Sequence, residues 1–337
     1  MSHGFLFVEF AGLALTIGIA GYFLSLYGDV IAEKTGLGGS WVGFSMLATV
    51  TSLPELVTGI SSVTYVDAPD IALGDALGSC SFNLLLIVFM DFMHRGSSVY
   101  TRVSQGHILT AGFGVILLGF VAFNILLYQY DLDLSLWHIG IYAPIMVLFY
   151  LVTMHTVFRY EKSQQLEAIE ELVERHPKIS LAQAIAFYCA AAAVVVAAGI
   201  RLPLTAEHVA EAMGWQRSFV GTVFVAIVTS MPEVAVTFSA FRIGALDMAI
   251  SDLLGSNLFN LVIISLDDVA YLKGPLLADV SAVHLISAQS AIMMTGITII
   301  GLLYRPNIRL FKTVGWVSLS MISIFILNIS VLYLQHD

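Results

Sequence analysis

Two short stretches of this 337-residue sequence decide its fold: TSLPE at residues 51–55 and TSMPE at residues 229–233. A second pair follows them, DIALGDALGSCSFN at 70–83 and DMAISDLLGSNLFN at 247–260. The offset between the copies is 178 positions for the first pair and 177 for the second. Chance does not keep one register over so long a stretch, so the chain carries an internal repeat.

The composition is that of a membrane protein. Apolar residues make up 58% of the chain and charged residues only 11%, whereas soluble domains carry about 25% charged residues. The apolar residues form ten segments, each long enough to cross the hydrocarbon as a helix. The predicted spans are 5–27, 41–65, 69–91, 105–127, 136–157, 179–200, 217–241, 245–271, 281–303 and 311–334.

These spans predict an all-α polytopic membrane protein in which the second copy is inverted. Five spans separate the two copies, and an odd number turns the second copy over in the bilayer. We expect ten transmembrane helices as two inverted five-helix repeats, 1–160 and 179–337, joined by a cytoplasmic linker at 161–178. Inverted repeats with interrupted helices are typical of secondary transporters whose site lies at the midplane.

The basic residues predict the orientation. Eleven of the fourteen Lys and Arg residues fall in loops on one side, which is therefore expected to be cytoplasmic. Both termini would then be extracytoplasmic in an integral protein of a prokaryotic cell membrane. With a net charge of −10, no nucleic-acid partner is expected. The expected partners are the lipid bilayer and transported cations, and the oligomeric state stays open.

Pro54 and Pro232 lie inside apolar helices. A proline supplies no hydrogen bond to the carbonyl four residues earlier, so the carbonyls of Val50 and Val228 lose their helical partners. In lipid such groups need another partner, and a bound cation is a suitable one. A simple packing kink is the alternative reading.

Glu55 and Glu233 favour the cation. A charge at mid-membrane costs about 2.5–3.5 kcal/mol on insertion scales. No Lys or Arg occurs in 41–91. In 219–271 the one basic residue is Arg242, and the next along the chain is Lys273. The two carboxylates therefore hold cations, or else each is a protonated side chain in a core.

Other oxygen-bearing residues share these helix faces. Ser52 precedes Glu55 by three residues, and Asp75, Ser79 and Asn83 are spaced by four, which places them on one stripe. Such oxygen cages suit calcium, sodium or magnesium. The predicted metal ligands are Glu55, Glu233, Thr51, Thr229, Ser52, Ser230, Ser79, Ser256, Asn83, Asn260, Asp75 and Asp252.

These paired motifs resemble the calcium/cation antiporter superfamily, in particular prokaryotic sodium/calcium exchangers. The resemblance implies exchange of Ca²⁺ for Na⁺ by alternating access, with the first and sixth spans sliding. It implies that Glu55 and Glu233 are the shared ion ligands and that Thr51 and Thr229 supply further oxygens. It also implies that the sodium sites are lined by Ser52, Ser79, Ser230 and Ser256.

The sequence departs from that family pattern at two pairs of positions. Asn83 and Asn260 are both Asn, where the family usually has one acidic residue. Asp75 and Asp252 are both Asp, where the family usually has Asn. Carboxylates clustered in a low-dielectric site cannot all stay charged without cations, so protons can compete with metal there. Exchange of Ca²⁺, or another divalent cation, for H⁺ is therefore the alternative, and a cation channel is a weaker one.

Neither an enzyme nor a bound cofactor is expected. The sequence has no Gly-x-Gly-Asp or His-Glu-x-x-His motif of an intramembrane protease. Asp91 and Asp268 are expected either to line an ion path or to be solvated at span ends. Four histidines in or near the spans have no acidic partner at fixed spacing in the sequence. They are expected to be packed or interfacial: His107, His138, His155 and His284.

Overall fold

The computed structural model describes residues 3–35, 48–94, 98–130, 132, 134–165, 179–306, 309–310 and 314–335. Within these ranges the chain is almost entirely helical. The helices are α1 His3–Lys34, α2 Leu53–Ser61, α3 Pro69–Met93, α4 His107–Gln129, α5 Tyr142–Gln165, α6 Leu181–Met213, α7 Arg217–Thr229, α8 Met231–Arg242, α9 Leu246–Ala270, α10 His284–Tyr304 and α11 Trp316–Leu334. Two stretches are π-helical, Ser62–Val66 directly after α2 and Val220–Val225 within α7.

Short extended and 3₁₀ segments join the long helices at matching places. An antiparallel hairpin of β1 Ser135–Leu136 and β2 Ile139–Gly140 connects α4 to α5. A second, of β3 Arg309–Leu310 and β4 Val314–Gly315, connects α10 to α11. The 3₁₀ turns are Val99–Thr101 after α3 and Leu276–Ala278 after α9.

The expected polytopic helical architecture is confirmed. Eight of the described helices are long and apolar enough to cross a membrane, and the pair α7 and α8, bent by 46°, brings the count to nine. The predicted span 41–65 falls partly outside the described residues, so the count of ten stays a prediction. Helix α5 reaches into the predicted linker 161–178, of which residues 166–178 also lie outside the described residues.

Helix α6 extends well past its predicted end at residue 200, through Pro203 to Met213. Polar side chains in this extension are paired: Arg201 Nε donates to Glu9 Oε1 at 2.7 Å, and Glu207 pairs with Arg217. Hydropathy alone predicts that the span ends before its first charged residue, Arg201. In the structure the helix continues because those charges find partners on α1 and α7.

Helices α3 and α9 form the centre of the molecule. Their apolar windows are 89% and 78% buried, against 22% for α1 and for α6. They pack against each other, while α1 and α6 pack together along their length at the outside. The stretches 70–83 and 247–260 therefore lie on the two most enclosed helices, and this places the second motif pair in the interior.

Asp91 and Asp268 fasten the ends of these central helices. Asp91 Oδ1 accepts from the backbone N–H of Val99 at 3.0 Å, and Asp268 Oδ1 from that of Leu276 at 2.7 Å. Both carboxylates are fully buried. They are neither solvated nor free to line an ion path, because their oxygens hold the turns that follow α3 and α9.

Two of the four histidines, His107 and His284, are packed in the interior as expected, and each also has an acidic partner. His107 Nε2 lies 3.0 Å from Asp247 Oδ1, and His284 Nε2 lies 3.0 Å from Asp70 Oδ1. The pairs are equivalent in the two copies. Each tethers the start of a central helix to a helix 140 or 214 residues away, a separation that no local spacing reveals.

Candidate cation-binding site

Two helix breaks with the same geometry lie at the centre of the site. Ser52 has φ −85° and ψ 15°, and Ser230 has φ −80° and ψ 10°; each precedes a helix with proline in its first turn. Glu55 and Glu233 occupy the first turns of the helices that follow. The expected break is thus present in both copies. It places each carboxylate near the positive end of a helix dipole.

All of the predicted ligand residues lie in the interior, each at most 1% exposed. These buried polar residues come from both copies of the repeat, so the interior is formed by helices of both copies. The side chains concerned are those of Thr51, Ser52, Glu55, Asp75, Ser79, Asn83, Thr229, Ser230, Glu233, Asp252, Ser256 and Asn260.

The two glutamates are held across the copies. Ser52 Oγ donates to Glu233 Oε1 at 3.4 Å, and Ser230 Oγ donates to Glu55 Oε1 at 3.2 Å. Each carboxylate therefore contacts the broken helix of the opposite copy. The other oxygen, Oε2, of each glutamate is buried and has no hydrogen-bond partner among the described residues.

Asp75 extends this network on one side. Thr229 Oγ1 donates to Asp75 Oδ1 at 2.7 Å, and Ser79 Oγ approaches the same oxygen at 3.5 Å. Ser230 Oγ also donates to Ser79 Oγ at 3.0 Å. Asp75 is thus joined through hydroxyl groups to the same break that holds Glu55.

The equivalent carboxylate of the second copy is placed differently. Thr51 Oγ1 shares a hydrogen bond of 3.1 Å with Ser256 Oγ and none with Asp252. In the described part of the chain neither oxygen of Asp252 has a hydrogen-bond partner, and the same holds for both amide atoms of Asn260. The two halves of the site are therefore chemically alike but not identical in their contacts.

Asn83 reaches the neighbouring central helix. Its Nδ2 donates to Asn257 Oδ1 at 3.0 Å, and Asn257 Nδ2 donates to the carbonyl of Cys80 at 3.1 Å. Sequence reasoning did not select Asn257, because the first copy has Cys80 at that position. The available signal was a lone amide in an apolar helix directly after Ser256.

The site is rich in buried oxygens that lack a partner. A buried polar group without a hydrogen bond costs free energy, and one cation can satisfy several oxygens together. Among the described residues no three His, Cys, Asp or Glu side chains form a metal-binding group, so a cation here would also draw on hydroxyl and amide oxygens. The unpartnered oxygens are Glu55 Oε2, Asp75 Oδ2, Asn83 Oδ1, Glu233 Oε2, Asp252 Oδ1 and Oδ2, and Asn260 Oδ1.

One buried carboxylate near the end of α9 was missed by the sequence reasoning. Asp267 is 1% exposed, and neither of its oxygens has a hydrogen-bond partner among the described residues. Its counterpart in the first copy is Met90. A search for repeated motifs does not select a carboxylate that occurs only once.

Comparison with known sequences gives matches over most of the chain. A family model described as sodium/calcium exchanger protein matches residues 5–158 and 182–334. The inner membrane protein YrbG of Escherichia coli (strain K12) is 26% identical over 262 residues, which cover 75% of this chain and 78% of that protein.

Two solved structures share the fold. The sodium-calcium exchanger NCX_Mj, soaked with 2.5 mM Na⁺ and 10 mM Sr²⁺, aligns with a TM-score of 0.62 at 18% identity and covers 98% of this chain and 99% of that one. The H⁺/Ca²⁺ exchanger CAX aligns with a TM-score of 0.70 at 13% identity, covering 97% of this chain and 81% of that one. At such identities the likeness concerns the fold alone.

Proposed function

Because this chain belongs to the sodium/calcium exchanger protein family of membrane antiporters, we propose that it exchanges Ca²⁺ for Na⁺ at the site between its two broken helices. The observation that carries the proposal is the reciprocal pairing of Ser52 with Glu233 and of Ser230 with Glu55. An ion bound by both glutamates would be held by both copies at once. Its binding and release would then be linked to their relative movement.

The packing of α1 and α6 supports alternating access. Gly21 of α1 lies against Pro232, and the equivalent Gly199 of α6 lies against Val57. Both long helices thus cross a broken helix at a residue without a side chain. We propose that α1 and α6, packed together, slide over these two crossings and open the site to one side at a time.

Ion exchange in proteoliposomes tests the proposal. Ca²⁺ uptake is measured into vesicles loaded with Na⁺, with K⁺, or with acidic buffer, under a clamped membrane potential. We expect uptake to require internal Na⁺ and to stop when the Na⁺ gradient collapses. Uptake that follows the Ca²⁺ gradient alone, with no countertransported ion, would identify a channel and overturn the proposal.

Exchange of Ca²⁺, or another divalent cation, for H⁺ is the second candidate, and it rests on Asp75 and Asp252. Both are fully buried, and Asp75 is linked to Glu55 through the hydroxyl groups of Ser79 and Ser230. Ligand carboxylates must lose their protons to bind metal, so metal binding releases protons. A proton taken up again on the other side becomes the countersubstrate.

The variants Asp75→Asn, Asp252→Asn and the double variant separate the two candidates. Ca²⁺ transport is measured against pH, with and without Na⁺. A double variant that loses its pH dependence but still binds Ca²⁺ would assign the protein to proton-coupled exchange. If all three variants keep the parent dependence on pH and Na⁺, the aspartates are structural and proton coupling through them is excluded.

A further inference from the structure

Asp267 lies in a notch formed by a glycine on the neighbouring helix. A Cβ added to Gly59 of α2 would lie 2.7 Å from Asp267 Oδ1 and closer still to Oδ2. No side chain longer than hydrogen fits at residue 59 while the carboxylate stays in place. The notch and the aspartate are therefore one feature built from two helices.

This feature occurs in one copy only. The positions equivalent to Gly59 and Asp267 are Thr237 and Met90, which retain neither the notch nor the acid. In a molecule whose other buried acids come in pairs, Asp267 breaks the repeat. A requirement of the fold shared by both copies does not explain it.

In the described part of the chain no basic side chain forms an ion pair with Asp267. Its carboxylate oxygens accept no hydrogen bond there, and the residue that follows it, Asp268, is also acidic. Asp268 is held by Tyr142, Gly140 and Leu276. The ionisable groups with described side chains on elements packed against α9 are Glu55 on α2, Tyr65 on the π-helical turn after it, Asp70, Asp75, Cys80 and Asp91 on α3, His107 and Tyr128 on α4, Tyr142, Tyr150, His155, Arg159 and Tyr160 on α5, and Glu233 and Arg242 on α8.

We propose that Asp267 is a proton-binding site, separate from the central cation site and close to it, because Gly59 follows Glu55 by one turn of α2. A metal ion is a poor occupant, because calcium takes six to eight oxygens and here one carboxylate stands alone. A buried carboxyl without cation or donor is stable as the neutral acid. The inference rests on the proposed exchange function and adds an acceptor for H⁺ to it.

The proton leaves when a cation binds at the centre. Ca²⁺ between the glutamates adds positive charge one helical turn from Gly59, and this favours the ionised form of Asp267. The O–H bond of the acid then breaks, and the proton passes to water at the face where α9 ends. Asp267 lies one turn from the end of α9 at Ala270, so this is the nearer face for the proton.

Proton release on Ca²⁺ binding is the test. Purified, cation-free protein in weak buffer with a pH indicator is titrated with CaCl₂, and the protons released per bound Ca²⁺ are counted. The variant Asp267→Asn is expected to bind Ca²⁺ and to release about one proton fewer than the parent. The matched control is Asp67→Asn, which removes an exposed carboxylate at the same face and is expected to leave the count unchanged.

An unchanged proton count in Asp267→Asn, with Ca²⁺ exchange intact, overturns this inference and leaves the proposed function standing. A parent protein that neither binds nor exchanges Ca²⁺ overturns both. If the variant does not fold, the parent protein is treated with dicyclohexylcarbodiimide, which modifies protonated carboxyls in apolar surroundings, and its peptides are mapped by mass spectrometry. Modification of Asp267 that Ca²⁺ suppresses is expected, and an unmodified Asp267 contradicts the proposal.

Discussion

Glu55 and Glu233 combine three properties that rarely occur together in one side chain. Each is fully buried, each lies in the first turn after a proline break, and each accepts a hydrogen bond from the opposite copy. Burial alone would make a carboxylate costly. The helix dipole and the serine hydroxyl offset part of that cost and leave Oε2 of each residue for an ion.

The first prediction concerns the loss of one of these charges. Glu55→Gln and Glu233→Gln should each lower Ca²⁺ affinity by roughly 100-fold, because removing one partner of a buried charge pair costs about 3 kcal/mol. Exchange is measured in proteoliposomes after insertion has been verified. Glu211→Gln, at the exposed end of α6, is the control. Exchange at the parent rate in either variant would show that the glutamates are not the ligands.

A second prediction compares the two asparagines. Asn260 has no hydrogen-bond partner among the described residues, whereas Asn83 donates to Asn257. Asn260→Asp should therefore change ion selectivity towards divalent cations with little loss of stability. Asn83→Asp replaces a donor with an acceptor opposite Asn257 Oδ1, and should lower the melting temperature. An ion profile unchanged by Asn260→Asp would mean that this residue does not face the site.

At the scale of the helices, the crossings of α1 over α8 and of α6 over α2 position the two breaks. A Cβ on Gly21 would lie 3.0 Å from Pro232 Cβ and closer to Cγ, and one on Gly199 would lie 3.0 Å from Val57 Cγ1. Glycine thus sets the distance between a long helix and a broken one. The broken helix carries the glutamate that we propose as an ion ligand, so this distance also positions the candidate site.

The third prediction tests that distance. Gly21→Ala should destabilise the protein by about 1–3 kcal/mol, as overpacking of a well-packed interior does, and should slow exchange. Gly12→Ala on the same helix is the control, because a Cβ there meets nothing within 4 Å; it should be neutral or stabilise slightly. Thermal unfolding in detergent and exchange rates are measured on both. Equal behaviour of the two variants would contradict the close crossing.

At the scale of the whole molecule, pairs of equivalent contacts relate the two copies. His284 with Asp70 matches His107 with Asp247, and the backbone N–H of Ser281 and of Ser104 donates to the same two aspartates. These contacts support our proposal of two repeats, 1–160 and 179–337, around the linker 161–178. Inversion of one repeat against the other remains a prediction from the number of intervening spans.

The fourth prediction is the orientation in the membrane. The distribution of Lys and Arg places both termini outside and the linker in the cytoplasm. Single cysteines at residues 2 and 163 are labelled from each side with an impermeant maleimide, in a background where the exposed Cys189 is replaced by Ser. Residue 2 should react from outside and residue 163 only from inside. Labelling of residue 163 only from outside would reverse the topology.

The sequence by itself determined the membrane class and the repeat, and it selected twelve polar residues that are all buried in the structure. Polar residues are costly in an apolar span, so those that persist there, in register at Thr51–Glu55 and Thr229–Glu233, indicate a site without any knowledge of distances. The proline positions likewise predicted the helix breaks. All of this information is local or periodic, and it can be read along the chain.

Only the tertiary structure decided which side chains meet. Ser52 contacts Glu233 across 181 residues, and Thr229 contacts Asp75 across 154; no spacing along one helix encodes such pairs. Repeat analysis predicts equal roles for Asp75 and Asp252, but packing gives a hydroxyl partner to Asp75 alone. The position of the Asp267 carboxylate against Gly59 of α2 is likewise found only in the structure. Contacts between helices distant in sequence depend on the packing of the whole bundle, and therefore appear only in three dimensions.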